Sequence, residues 1–129
     1  MAEHNVVGNI GEEIACQIMR KKGFRIVDTN WRFGHLEMDV IAINKKEIVF
    51  LEVKTRTSTF SDKRPEEYVD ELKKRRMVAA ANAYIKMNNI EQAPRFDIIG
   101  LIMNPLTHEI IESTHLEDTF SPSIRTIGK

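Results

Sequence analysis

Asp39, Glu52 and Lys54 have the residue types and spacing for metal-assisted chemistry. Asp39 lies in the segment Leu36 to Ile43, and Glu52, Val53 and Lys54 close the segment Glu47 to Lys54. Both segments are rich in apolar and β-branched residues and read as strands, joined by the polar turn Asn44-Lys45-Lys46. So short a connection lets them pair as an antiparallel hairpin. Side chains alternate along a strand, so Glu52 and Lys54 share one face, as do Glu37, Asp39 and Ile41. Pairing then brings Asp39 and Glu52 together at one edge. Two converging carboxylates repel each other, and a divalent cation relieves the repulsion. Carboxylates with a backbone carbonyl such as that of Val53 form an all-oxygen donor set, which suits Mg2+ or Mn2+. A lysine at the position of Lys54 can orient an attacking water and stabilise charge developing on a phosphate. These parts suit phosphodiester hydrolysis.

A solvated Glu-x-Lys pair on an edge strand is the plain alternative, because the tripeptide pattern is common. The setting argues against it. Glu52 follows the apolar run Ile48-Val49-Phe50-Leu51, and Asp39 lies between Met38 and Val40-Ile41. A charge in such a place is costly unless it has a partner.

The elements that must position these groups can be read from periodicity and breakers. Val7 to Lys22 is expected to be a helix ended by Gly23. Ile10, Ile14, Ala15, Cys16, Ile18 and Met19 make its apolar stripe, with Glu12 at the stripe's edge and Glu13 on the polar side. Glu12 is therefore a third acid able to point inward, although a first-turn glutamate favoured by the helix dipole is an equal reading. Phe24 to Thr29 reads as a short strand and Thr55 to Arg64 as a loop. A second helix is expected from Pro65 to about Asn88. Its apolar face contains Val69, Leu72, Met77, Ala80, Ala83, Tyr84 and Met87, with Lys73 and Arg76 inside the same arc and Lys74 and Arg75 pointing away. Cations on an inward face either snorkel to water or meet an anion. Phe96 to Met103 and Glu109 to Thr114 are the last strands, separated by the breaker Asn104-Pro105. The order α-β-β-β-α-β-β predicts an α/β domain with a central mixed sheet and a helix on each side.

The chain of 129 residues suits one domain, with a core over about residues 8–116 and a weakly patterned tail over 117–129. No apolar run approaches the roughly 20 residues that span a bilayer, and no basic-then-apolar leader opens the chain, so a cytoplasmic protein is expected. The single cysteine, Cys16, excludes an internal disulfide and a Cys-rich zinc site and reads as a small core residue. Net charge is zero, yet residues 45–86 carry eleven Lys and Arg against seven Asp and Glu. A local basic surplus can bind phosphate in a neutral protein. Arg56, just after the motif, is a candidate phosphate contact or a surface arginine. Trp31 reads as half-buried packing, Asp97 as the ion-pair partner of Arg95, and Glu37 as a salt-bridge residue or a second-metal contact. The four histidines have no ligand spacing.

Taken together, Gly8-x3-Glu12, Gly23-Phe24, Asn30-Trp31-Arg32, Glu37-Met38-Asp39, the run Phe50 to Arg56 and Arg95-Phe96-Asp97 resemble the YraN family over about residues 8–103. That family is similar to archaeal Holliday-junction resolvases and to the PD-(D/E)XK nuclease superfamily. The resemblance implies a restriction-endonuclease-like three-layer fold and a metal-dependent endonuclease acting on DNA, branched DNA included, with Mg2+ as cofactor and Mn2+ as its substitute. It places the superfamily's metal-binding aspartate on Asp39, its second acid on Glu52, its lysine on Lys54, the resolvase helix glutamate on Glu12 and an assisting helix lysine on Lys73. Met38 stands where the superfamily motif has proline. Two other readings are a nucleic-acid-binding module without turnover and a protein-interaction domain, such as a homodimer of the resolvase type.

Overall fold

A computed structural model of the chain describes residues 2–57 and 69–120. Helix α1 (Ala2–Lys21) is followed by β1 (Arg25–Phe33), β2 (Leu36–Ile43) and β3 (Glu47–Arg56). Helix α2 (Glu71–Asn88), β4 (Ala93–Met103) and β5 (Ile110–Leu116) complete the order. The five strands form one sheet in the order β1-β2-β3-β4-β5. All neighbours are antiparallel except β3 and β4, which are parallel because α2 lies between them in the chain. Among the described residues no helix is long and apolar enough to cross a membrane.

Alternation in the strands builds two cores. On one face, Val40, Ala42, Val49, Leu51, Ile99 and Leu101 pack with Ala15, Cys16 and Met19 of α1. On the other, Ile41, Ile43, Ile48, Phe50, Phe96 and Ile98 pack with Met77, Ala80, Ala81 and Tyr84 of α2. The central strands β3 and β4 are buried on both sides, which is why their sequences are almost unbroken apolar runs. The result is the three-layer restriction-endonuclease-like arrangement.

Local chemistry explains the joints. Gly23 takes a left-handed φ of 95°, and the Phe24 and Gly23 amides donate to the Met19 and Arg20 carbonyls, closing α1. Asn89, at φ 51°, closes α2 in the same way, with Ile90 N–H donating to the Ile85 carbonyl. Gly34 supplies the positive φ of the two-residue turn between β1 and β2. Asn44 accepts from the Lys46 and Glu47 amides and fixes the β2–β3 turn.

Several boundaries differ from the sequence expectation. Thr55 and Arg56 extend β3 instead of opening the loop, because they continue the parallel ladder with Leu101 and Ile102. The second helix begins at Glu71, where Asp70 caps it by accepting from the Lys73 amide; Pro65 and the loop residues 58–64 lie outside the described residues. Leu72 and Met87, expected on the inward face of that helix, are exposed, while Ala81 is buried. The packed core also continues past residue 116. Thr119 donates from its amide and hydroxyl to the Phe96 carbonyl, and Phe120 stacks on Phe96 at 4.8 Å.

A buried ionic cluster ties the start of β4 to the end of β5 and to α1. Asp97 is fully buried and accepts two bonds from Arg95, one from the Asp118 amide and one from His115 Nε2 at 2.7 Å. Lys22 Nζ lies 2.7 Å from His115 Nδ1 and 3.2 Å from Glu117. Arg95 also pairs with Glu47. Burial alone would raise the Asp97 pKa, but the His115, Arg95 and Asp118 hydrogen bonds outweigh it and hold this carboxyl below its ordinary value. The Arg95–Asp97 pair was legible in the sequence; the part played by His115 was not.

α1 approaches β3 closely at one point. A side chain at Gly11 would collide with the Thr55 hydroxyl, so glycine is required there despite its poor helix propensity. Gly11→Ala is expected to lower stability by about 1–3 kcal/mol in urea unfolding, with partial recovery on adding Thr55→Ala. A Gly11→Ala protein more stable than the parent, as helix propensity alone dictates, would contradict this contact.

Candidate metal and catalytic site

The site lies where β2 and β3 stop pairing. Their antiparallel ladder runs from Ile43–Ile48 to Val40–Leu51, so Asp39 and Glu52 are the next residues to face each other. The Val53 amide instead donates to Asp39 Oδ2 at 2.9 Å. Asp39 is therefore fixed by β3 and brought against Glu52. The strand itself changes face here: Met38 packs in the α2-side core, while Val40, two residues on, packs in the α1-side core.

Glu52 is 8% exposed, at the end of the apolar run of β3. Its carboxyl lies close enough to Asp39 for the Asp39 charge to act on it. Burial raises both pKa values. For Glu52 the Asp39 charge adds to burial and Lys73 partly opposes them, leaving it pushed up to about 7. For Asp39 the Val53 amide and then Lys73 oppose burial. Glu52 is therefore the acid that keeps its proton toward neutral pH.

Lys73, in the first turn of α2, reaches the pair, with Nζ 3.5 Å from Glu52 Oε1. That is ion-pair range but too loose for a good hydrogen bond. Among the described residues, Glu52 Oε1 is a buried oxygen with no hydrogen-bond partner. A buried oxygen left in this state is costly.

The other candidate residues are spread around this centre. Glu12 is half-buried, whereas Glu13 is exposed and pairs with Arg20 at 3.7 Å. Glu12 Oε1 accepts from Asn30 Nδ2 at 2.9 Å. Its pKa is raised, first by burial and further by the charges of Asp39 and Glu37, while the Asn30 bond opposes the rise. Glu12 thus senses Asp39 without joining it. No group of three or more His, Cys, Asp or Glu side chains able to hold a metal occurs among the described residues, so the acidic centre is the Asp39–Glu52 pair. Lys54 is exposed, two residues beyond Glu52 on the same strand face. Arg56 is half-buried at the end of β3.

Arg76, expected to share the inward arc of α2, is exposed, while Lys74, expected to point away, is half-buried over the Phe120 ring and pairs with Glu71. The packed residues at 119–120 create that environment, which helical phase cannot foresee. Glu37 pairs with Arg32 at 3.6 Å. Trp31 packs edge-on to Tyr84 and is core, and Met38, at the position of the superfamily's proline, is fully buried. Cys16 is buried among the α1-side core residues. Two residues that shape the site carried no chemical signal in the sequence: Gly11, which lets α1 approach β3, and Asn30, which engages Glu12.

A family model described as Uncharacterised protein family UPF0102 matches residues 11–101, which include Glu12, Asp39, Glu52, Lys54 and Lys73. The chain belongs to the UPF0102 family. It is similar to UPF0102 proteins of Bacteroides thetaiotaomicron (41% identical over 124 residues, 96% of this chain and 99% of the relative) and of Parabacteroides distasonis (42% over 120 residues, 93% and 96%). A UPF0102 protein of Caldanaerobacter subterraneus subsp. tengcongensis is 42% identical over 115 residues, 88% of this chain and 93% of the relative. This UPF0102 chain therefore matches these relatives over nearly their full length.

The raised Glu52 pKa makes stability depend on pH. An unfolded Glu52 ionises near 4.5, whereas the folded one keeps its proton to about pH 7. From pH 4.5 upward the unfolded chain gains free energy by releasing a proton that the folded chain retains, so metal-free protein loses stability until about pH 7. Glu52→Gln removes this effect. Its stability relative to the parent is expected to grow from pH 4.5 to 7 and then level off, by on the order of 3 kcal/mol, read as a rising thermal midpoint. A difference independent of pH in calorimetric scans would rule out the raised Glu52.

Proposed function

We propose that this UPF0102 chain is a divalent-metal-dependent nuclease that hydrolyses phosphodiester bonds in DNA, with branched DNA as its first candidate substrate. The observation that carries the reading is Glu52 Oε1, buried beside the second acid Asp39 with no hydrogen-bond partner among the described residues. Such a pair is poorly satisfied by protons and well satisfied by a hard cation with oxygen ligands. The donor set fits Mg2+ or Mn2+: Asp39, Glu52 and the Val53 carbonyl would hold it, with Glu12 at the margin. When bound there, the cation supplies Lewis-acid polarisation of a phosphodiester and neutralises charge on it.

The chain's own residues account for the rest. Lys54, exposed on the same strand face as Glu52, positions the water nucleophile and offsets negative charge growing on the phosphate. Lys73 offsets the acid pair from the α2 side, where its Nζ is 3.5 Å from Glu52. Arg56 at the end of β3 and Arg76 on the exposed side of α2 are the proposed phosphate contacts. The burial of Asp39 and Glu52 strengthens every electrostatic interaction at the centre by excluding water from it.

The test is a cleavage screen of the purified chain with Mn2+ or Mg2+ on linear, flapped and four-way DNA. Cutting of at least one substrate is expected, lost on chelation. Asp39→Ala and Lys54→Ala should each lower the rate by at least about 100-fold. Activity that survives both substitutions would remove these residues from the reaction. Salt-sensitive DNA binding with no cutting under any condition would favour a binding module instead.

A further inference from the structure

Asn30 is an outlier whose position coincides with the site. It lies inside β1, yet its φ is 51°, the left-handed region that costs a non-glycine residue energy. The β1–β2 ladder pairs Thr29 with Val40 and Trp31 with Met38, but skips the pair between them, which is Asn30 opposite Asp39. On the other side, the β2–β3 ladder ends one residue short of Asp39. Asp39 is thus released from strand pairing on both flanks. The face change between Met38 and Val40 falls at the same place. The register is the same on both sides of Asn30, so the break in pairing is confined to Asn30 and Asp39, where the left-handed backbone sits.

The Asn30 side chain acts on a second acid. Its Nδ2 donates to Glu12 Oε1 at 2.9 Å, linking β1 to α1 across the edge of the acidic centre. Glu12 is close enough to Asp39 for the Asp39 charge to raise its pKa. One exposed amide therefore fixes the orientation of an acid that feels the Asp39 charge. Asparagine is the non-glycine residue best suited to both tasks, because it tolerates the left-handed region and carries a donor.

We propose that Asn30 is a positioning residue of the metal site: its left-handed backbone opens the sheet beside Asp39, and its carboxamide holds Glu12 at the margin of the Asp39–Glu52 pair. The inference rests on the metal-dependent reading above. It assigns Asn30 no contact with substrate and no proton transfer.

Substitution separates the two roles. Glycine keeps the left-handed backbone and deletes only the amide; alanine deletes the amide and strains the backbone. Mn2+ affinity by calorimetric titration and the metal-free thermal midpoint are the readouts. Asn30→Gly is expected to keep the parental midpoint and to weaken Mn2+ binding by about 10-fold or more, the usual effect of removing a group that orients a ligand. Glu12→Gln should weaken binding at least as much, and the double variant Glu12→Gln/Asn30→Gly no further than Glu12→Gln alone, because the Asn30 amide acts only through the Glu12 carboxylate. Asn30→Ala should weaken binding and lower the midpoint as well. Parental Mn2+ affinity in Asn30→Gly, or full additivity in the double variant, overturns the inference while leaving the nuclease reading in place. A parent chain that binds no Mn2+ overturns both.

Discussion

Beyond the Val40–Leu51 pair, the amide of Val53 is held by the carboxylate of Asp39 in place of a strand carbonyl. The rest of the site depends on this one substitution of side chain for backbone. It lets β2 and β3 part without leaving the Val53 donor unsatisfied. It also holds Asp39 against the more deeply buried Glu52. Ionising both acids there is costly; the Glu52 pKa is pushed up, and the Lys73 ammonium at 3.5 Å only partly opposes the rise. The three layers serve the same end. α1 brings Glu12 to one side of the sheet and α2 brings Lys73 to the other, both at the carboxyl end of β3.

A contrast within the molecule gives weight to the unsatisfied oxygen. Asp97 is as deeply buried as any residue of the core, yet four hydrogen bonds from Arg95, His115 and the Asp118 amide satisfy it, and its pKa falls. The two carboxylates lie on neighbouring parallel strands, one residue apart in register, because Leu51 pairs with Asp97 and Glu52 with Ile98. This fold is able to surround a buried carboxylate with donors. Glu52 has instead a neighbouring acid and one ammonium at 3.5 Å. Asp97 has the character of a structural ion pair, and Glu52, with its raised pKa, has the character expected of the proposed site.

Much of this was legible in the sequence because it follows from short periods. Strand alternation and a short turn placed Asp39 opposite Glu52, and helical phase separated half-buried Glu12 from exposed Glu13. Phase also carried Lys73 to the site, but failed for Arg76 and Lys74, whose surroundings depend on residues far away in the chain. The contact of Gly11 with Thr55, the left-handed Asn30, the place of His115 beside Asp97 and the packing of Thr119 and Phe120 on Phe96 are all products of tertiary approach. None has a local pattern to announce it. Asn30 was visible only as a member of the Asn30-Trp31-Arg32 motif and Gly11 only as a glycine inside a helix, which is where functional or packing demands commonly override local preference.

The central claim is that the acid pair holds one proton which a divalent cation displaces. Proton release on Mn2+ binding tests it most directly, by calorimetry at pH 6 in buffers of different ionisation enthalpy. The account predicts about one proton released per Mn2+ bound at that pH, falling toward zero as pH rises well above 7. Mn2+ binding with no proton release at pH 6 would contradict it.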